Sequence, residues 1–507
     1  MFKQLLILGC CIVAFSACEK STSSAKKAVK SDTEASKNTI TFVTLNSPNT
    51  YYVNSDKAFA GLEYDLALLF GEYITKTAET KAAQAKKSAN KKVLNEEATD
   101  KQIQHNKTQV KFIVANSIEE VIANIINKQA DIAAADLTVT KERALLIDFS
   151  TPFQDVQQQV VYNQDNKKKP PKKVQDLLGV HIVVPAATSF SERLSKLQKT
   201  EAGLIWEERQ EIHSEGLLEQ LANGEIDYTV ADSHLVSVLQ NYHPNLSVAF
   251  SLGEPEKIAW GFNKSAKPAL KQQADAFFAS IKKDGTLRNL IDRYHGNAKR
   301  LKPIDVKSYL SKSRTLLPKY KRLFKQAQEI TGIDWRLLAA ISYQESHWDT
   351  FNTSPTNVRG LMMLTEDTAD QMGVTDRLDP KQSIPAGAKY INLMIDTVPE
   401  RIPEPDRTYM ALAAYNIGYA HVEDARVLAE RLKMNPDRWA DVKKTLVMLN
   451  DPRYYSSAKY GYCSGGAPVI FVESIRSYYN ILARFEPAHT PDNSFKIASN
   501  TFLLNEY

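Results

Sequence analysis

Near residue 300 the spacing of apolar side chains changes period, and no single layered architecture accommodates both halves of the chain. From Thr39 onward short apolar runs alternate with helical stripes. Residues 40–43 and 110–114 read as strands and 62–73 as an amphipathic helix, while a helix around 121–127 precedes the buried run 131–135. The rhythm returns at 180–185 and 226–230 and closes with a helical stretch over 268–293. Alternation of this kind predicts a mostly parallel sheet covered by helices. Beyond about Ser308 the strand pattern stops. Helical patterns follow at 319–331, 334–347, 365–372, 384–398, 407–429 and 469–482, which predicts an all-helical second domain.

Two segments interrupt the first half. Residues 74–109 are dominated by Lys, Ala, Glu, Gln and Asn without a sustained apolar face, so they form either a solvated helix or a disordered insertion on the surface. Residues 165–173 carry five lysines and two prolines and read as an exposed turn. A polar, Lys-rich stretch over 297–312 is the expected linker. The divisions that follow are a binding-type domain over 39–296, a helical domain over 313–485 and a tail over 486–507.

The N-terminus sets the compartment. Met1, Phe2 and Lys3 lead into an apolar run from Leu5 to Phe15, closed by Ser16, Ala17 and Cys18. This is a signal-peptide core, too short for a permanent membrane span. Either it is an ordinary export signal with an incidental cysteine, or it resembles a bacterial lipobox, in which Cys18 is acylated and heads the mature chain. Glu19 after the cysteine, by similarity to lipoprotein sorting signals, points to the periplasmic face of the outer membrane. Residues 19–38, rich in Ser, Lys, Ala and Thr, read as a tether. With Cys10, Cys11 and Cys18 in the export signal, only Cys463 remains, so the fold must hold by core packing rather than by an internal disulfide. A 43% hydrophobic content supplies that core. The net charge of +5 slightly favours an acidic wall polymer or anionic membrane, and no nucleic-acid partner is expected. No zinc-type spacing occurs among the cysteines and histidines, and no cofactor is implied.

The chemistry concentrates on two helical patterns. In the first, Asp334 is a good N-cap, and Leu338, Ile341 and Glu345 share one face at i, i+3 and i+7. A carboxyl group therefore lies on a stripe that otherwise meets the core. Burial without a cation raises its pKa and makes it a proton donor near neutrality; the alternative is a structural Glu paired with an arginine. In the second, Tyr409, Leu412, Ala413 and Asn416 share a face. Residues 414–418 then place the Asn416 amide beside Gly418, where it either hydrogen-bonds a sugar N-acetyl group or caps the helix.

Glu345-Ser346, the run Gly360-Leu361-Met362-Met363-Leu364, and Ala414-Tyr415-Asn416-Ile417-Gly418 resemble, in order and spacing, the soluble-lytic-transglycosylase family. The text around Tyr343–Trp348 and Trp439–Lys443 is similar to its membrane-bound murein transglycosylases. The resemblance implies a goose-lysozyme-like helical fold acting on peptidoglycan glycan strands with one carboxyl group. Glu345 would protonate the oxygen between N-acetylmuramic acid and N-acetylglucosamine. It would then take the proton of the C6 hydroxyl as that oxygen closes on C1, leaving a 1,6-anhydro end, unlike the two-carboxylate scheme of most glycosidases. The resemblance also implies substrate contacts from Ser346, Met362, Met363, Tyr415, Asn416 and Phe471. Much of the wider family has Gln at the place of Met363 and Tyr at the place of Phe471; if that Tyr hydroxyl orients the acid or the N-acetyl group, its loss either slows catalysis or is made good by a neighbour such as Tyr478 or by water.

The first half resembles family 3 periplasmic solute-binding proteins, through Gly61–Leu66, Asp136–Arg143, Asp148–Phe153 and Gly224–Asp232. This implies a two-lobed, type II periplasmic-binding fold. Arg143, with Thr138, would take an α-carboxylate and Asp232 an α-amino group from the opposite lobe, as in an amino acid or a wall-derived muropeptide; alternatively the domain has lost its ligand. Two rival functions remain at this level: a non-catalytic lipoprotein that grips glycan with a degenerate helical domain, and a hydrolytic lysozyme.

Overall fold

The computed structural model describes residues 38–54, 57–88, 107–166, 169–210, 212–265, 268–297, 301–354 and 357–490. The expected signal peptide, Cys18 and the tether up to residue 37 lie outside them, as do residues 89–106 of the insertion and 491–507 of the tail.

The first half forms two lobes built to one plan. In lobe 1 the strands run in the order Gln109–Ala115, Thr39–Leu45, Ile132–Ala133, Gly261–Asn263, Ile147–Phe149. In lobe 2 the order is Trp206–Arg209, Ile182–Pro185, Tyr228–Asp232, Gln158–Asn163, Leu246–Ser251. Each sheet has one strand antiparallel to its neighbours, Gly261–Asn263 in lobe 1 and Gln158–Asn163 in lobe 2. Those are the strands by which the chain enters from the other lobe. The crossings themselves, Gln154–Val156 and Glu256–Ile258, pair antiparallel as a two-stranded hinge. The expected mostly parallel α/β fold is present, and the reversed strand is what a twice-crossed domain requires.

Lobe 1 closes over an aromatic core in which Phe42 meets Phe70, Phe112 and Trp260 at ring separations of 6.4, 5.8 and 5.3 Å. Its first helix, Leu62–Ser88, runs well past the expected end at Tyr73. The extension keeps good helix formers but no apolar stripe, and residues 79–84 are exposed, so intrinsic propensity rather than packing carries it. The expected helix over 268–293 is two helices, Pro268–Lys283 and Thr286–His295, divided at Asp284-Gly285.

The second half is all helical. Its main elements are Leu317–Thr331, Trp335–Ser346, Pro380–Thr397, Asp406–Ile417, Tyr419–Arg431, Trp439–Met448 and Gly466–Phe485. Gly418 breaks the single helix expected over 407–429 into two. Two boundaries need correction. The expected linker holds most of a helix, Pro303–Thr315, whose Val306 and Tyr309 are buried in the helical core, so the second domain begins near residue 303. The expected tail starts as packed structure, since the Pro487 carbonyl accepts from the Trp335 indole and the His489 carbonyl from Gln328.

The domains meet through the helix Thr286–His295, which belongs to lobe 1 by its packing yet docks on the helical half. Arg288 donates to Asp441 (2.6 Å) and Asn289 to Asp406 (3.1 Å). Arg476 donates to both the carboxylate (3.1 Å) and the carbonyl (2.7 Å) of Asp292, and to Glu473 (2.7 Å). Lys443 bridges Asp292 and Glu473, whose carboxylate also accepts from the Trp439 indole at 2.8 Å. Four side chains from two domains thus satisfy one another's charges in a buried cluster.

Candidate active site

The helix Trp335–Ser346 is fixed at both ends before it presents a carboxyl group. At its start Asp334 accepts from the Arg336 backbone (2.8 Å) and pairs with the fully buried Arg336 guanidinium, while Tyr479 donates to the same carboxylate. At its end His347 and Trp348 follow one another at φ 54° and 60°, a left-handed pair without glycine. Each such residue costs on the order of 1 kcal/mol. Burial of Trp348, with its indole donating to the Ala339 carbonyl at 3.0 Å, holds the pair in place.

Glu345 lies in the last turn. Its residue is only half-buried, yet its carboxyl is crowded enough that desolvation raises the pKa to about 8. Among the described residues no cation or hydrogen-bond donor contacts it. The surrounding apolar stripe is what sequence periodicity suggested; periodicity left the ion-paired alternative open, and among the described residues no such pair occurs.

A turn over residues 360–364 is strapped to this helix. The Ser346 hydroxyl is shared between the Ser342 and Leu361 carbonyls (3.1 and 3.0 Å), and Ser342 donates to the Leu361 carbonyl at 3.0 Å. Gly360 stands at φ 79°, where a Cβ would lie 1.9 Å from the Arg377 carbonyl oxygen, so only glycine fits. Met362 receives a hydrogen bond at its carbonyl from the Tyr415 hydroxyl (2.8 Å), and its N–H donates to Ser383 (3.2 Å). The Tyr415 ring lies parallel to Phe471, 6.4 Å away. Its phenol is held well above the usual range by burial first and by the Glu345 carboxylate second. Ser342, Ser346, Ser383 and Tyr415 thus hold the 360–364 turn against the helix that carries Glu345.

In the first half, the cleft between the lobes brings Thr138, Arg143 and Asp232 to one small cavity of about 90 Å³. Arg143 donates to the Thr138 carbonyl (3.3 Å) and across the cleft to the Ala187 carbonyl (3.4 Å), and its Nε is 3.4 Å from Glu192. Burial pushes Asp232 up to about 7, with His234 opposing. His234 in turn bonds Asp136 at 2.7 Å.

Residues 322–436 match the transglycosylase SLT domain, and residues 94–297 match the bacterial extracellular solute-binding proteins of family 3. Over 461 residues the chain is 52% identical to membrane-bound lytic murein transglycosylase F of Methylobacillus flagellatus, covering 91% of each. The chain belongs to the membrane-bound lytic murein transglycosylase F family. The relative of the same name in Nitrosospira multiformis is 41% identical over 448 residues, covering 88% of this chain and 86% of that one. In Pseudomonas fluorescens the figures are 36% over 478 residues, 94% and 88%. Among solved structures, an ancestral arginine-binding protein bound to arginine is 18% identical with a TM-score of 0.40, covering 51% of this chain and 99% of that one.

Within this family frame the expected site residues sort by what they touch. Half-buried Tyr415 and Met363 and exposed Asn416 are open to a substrate. Ser346, Met362 and Phe471 are not: they are 2%, 0% and 6% exposed. Their expected sugar contacts are corrected to supporting ones, because the Ser346 hydroxyl is taken by carbonyls, Met362 packs into the space over Gly387, and Phe471 backs Tyr415. Tyr478, expected as a substitute hydroxyl, is buried among Tyr309 and Tyr343 at 4.5 and 4.8 Å. The Tyr415 hydroxyl goes to the Met362 carbonyl instead of the acid. Sequence reading missed Ser342 and Ser383, although Ser342 and Ser346 at i, i+4 in an apolar helix was a legible signal.

Proposed function

We propose that this protein, a peptidoglycan lytic transglycosylase, works through Glu345 alone as acid and then base. The observation that carries the reading is the unpaired Glu345 carboxyl, held protonated near neutrality by desolvation. Glu345 gives its proton to the oxygen joining C1 of N-acetylmuramic acid to C4 of N-acetylglucosamine, and the C1–O bond breaks. The C6 hydroxyl oxygen of the same muramic residue bonds to C1, and its proton returns to the Glu345 carboxylate. No water enters. The acid is restored, and the product carries a 1,6-anhydro end. In this reading Asn416 and Tyr415 hold the sugar while Met363 offers an adaptable apolar contact. Mass spectrometry of released muropeptides tests this: anhydro ends are lighter than hydrolysed ends by one water, and a product made only of reducing ends overturns it.

The lipobox-like sequence supports anchoring by acylated Cys18 at the periplasmic face of the outer membrane, where multiple acyl chains give stable attachment. Among the described residues no helix is long and apolar enough to cross a membrane. Cys18→Ser should abolish lipid labelling, and unchanged labelling rules Cys18 out. The cleft at Thr138, Arg143 and Asp232 supports a regulatory ligand with amino-acid-like ends, such as a wall-derived peptide. Such a ligand must displace Glu192 from Arg143. Calorimetric titration of amino acids and stem peptides into the full-length protein and Arg143→Ala tests it, and absence of binding to the whole panel removes the reading.

A further inference from the structure

One buried histidine ties the two lobes together. His234 lies at the start of the lobe 2 helix Ser233–Leu239, just after the strand Tyr228–Asp232, and its Nε2 is 2.7 Å from the Asp136 carboxylate of lobe 1. His234 is 7% exposed. Asp136 stands at φ 55°, and its N–H donates to the Glu63 carboxyl at 2.6 Å, so the helix Leu62–Ser88 fixes the lobe 1 side of the contact. Other links across the cleft include Arg143 with the Ala187 carbonyl and Glu192, Ser189 with Thr138 (3.3 Å), and the exposed Lys196–Glu142 pair (3.1 Å). Of the side chains in these links, only an imidazole ordinarily changes charge between pH 5 and 8.

The charges around the ring decide what that change does. His234 faces Asp136 from lobe 1, Asp232 from its own lobe and His295 from the docking helix, at a ring separation of 5.3 Å. Glu63 stands behind Asp136, and Glu256 and Arg143 act on Asp232. Burial alone would strip the proton from His234, but Asp136 and then Asp232 outweigh it and hold its pKa above 6.5. His295 is pushed down to about 3, by burial first and His234 second, and stays neutral. Burial pushes Asp232 up to about 7, so above that pH it is ionised. Loss of the His234 proton then leaves two carboxylates, one from each lobe, to repel.

We propose that the Asp136–His234 pair is a proton-operated latch that holds the lobes together at neutral pH and releases them as the medium turns alkaline. Closure raises the pKa of His234, so its contribution is complete below about 6.5, the ordinary value, and is lost as pH rises through the raised one. Asp232, raised from 3.8 to about 7, acts in the same sense at lower pH. The latch needs no ligand, and so stands or falls apart from the reading of the Arg143 cleft.

Hydrogen exchange on the full-length protein, corrected for the intrinsic effect of pH on exchange, tests the latch. In the wild type, protection of segments 136–143 and 186–192 should fall several-fold between pH 6.5 and 9. Asp232→Asn removes the other group titrating in this range and should keep the fall, at a somewhat lower pH. Adding His234→Gln, which can still hydrogen-bond but does not titrate, should flatten it. Asp136→Asn, tolerated at φ 55° because Asn visits that region, should alone move the fall to lower pH. A flat wild-type profile, an undiminished fall in the double variant, or an Asp136→Asn transition at the wild-type pH overturns the proposal.

Discussion

The Ser346 hydroxyl donates to the Leu361 carbonyl at 3.0 Å and so ties the residue beside Glu345 to the turn that carries Met362 and Met363. Leu361 retains a second bond from Ser342, so Ser346→Ala should cost only about 1 kcal/mol of stability. The turn loosens at the point nearest the acid. Glycan release should therefore fall by more than the stability change implies, with kcat affected before KM; an unchanged kcat in a folded variant rejects the strap.

Glu345→Gln should abolish turnover and leave glycan binding intact, because the amide neither gives nor takes the reaction proton. The pH dependence has a defined sign. With a folded pKa of about 8 against 4.5 for the free group, the folded state keeps a proton that the unfolded state has lost. Stability of the wild type should then fall between pH 4.5 and 8, by at most about 1.4 kcal/mol per pH unit, and the Gln variant should lack that slope. Activity should decline on the alkaline side near pH 8. A wild type and variant with parallel stability profiles would show that the carboxyl is not desolvated.

Tyr415→Phe removes the hydroxyl that holds the Met362 carbonyl at 2.8 Å. The expected loss is about 1 kcal/mol of stability, with a clear drop in kcat/KM as the turn shifts. Thermal unfolding and glycan release on the same preparation check both.

Gly387→Ala sets a Cβ 2.7 Å from three atoms of the Met362 side chain. Overpacking of this kind costs roughly 1–3 kcal/mol. The variant should unfold at a lower temperature and release glycan more slowly, and a silent substitution would mean that Met362 repacks freely.

Arg476→Ala leaves Glu473 and Asp292 at the domain junction to share the single cation of Lys443. Arg476 is 3% exposed, so one of the two carboxylates is left poorly compensated and the cost should be about 3 kcal/mol. Unfolding should split into two transitions as the halves uncouple; a single unshifted transition excludes the cluster as the joint.

The sequence announced whatever rests on periodicity: the two architectures, the lobes, and Glu345 on an apolar face. It was mute where the signal was sparse or distant. The helix Pro303–Thr315 buries only Val306 and Tyr309, too few apolar positions to stand out from a Lys-rich linker. The break at Gly285 falls inside a stretch that reads as one helix over 268–293, whereas Gly418 already offered a helix cap among its readings. Ser346, Met362 and Phe471 sit in motifs that mark a substrate site, and only coordinates distinguish the side chains that meet sugar from those behind them. The Asp292–Arg476 contact joins residues 184 positions apart, and no local pattern encodes it.

The unequal docking of the two lobes has a mechanical consequence. Lobe 1 and the helical domain share the buried cluster around Asp292 and act as one chassis. Lobe 2 meets the helical domain at the Arg484 pairs with Glu215 and Glu219, the exposed Lys307–Asp165 pair, and the Tyr242–Phe485 ring contact. The Lys307–Asp165 and Arg484–Glu219 pairs face solvent and are worth little, so this joint is weaker than the Asp292 cluster. Any parting of the lobes at the hinge would therefore move lobe 2 first and leave the acid helix with the frame that holds it.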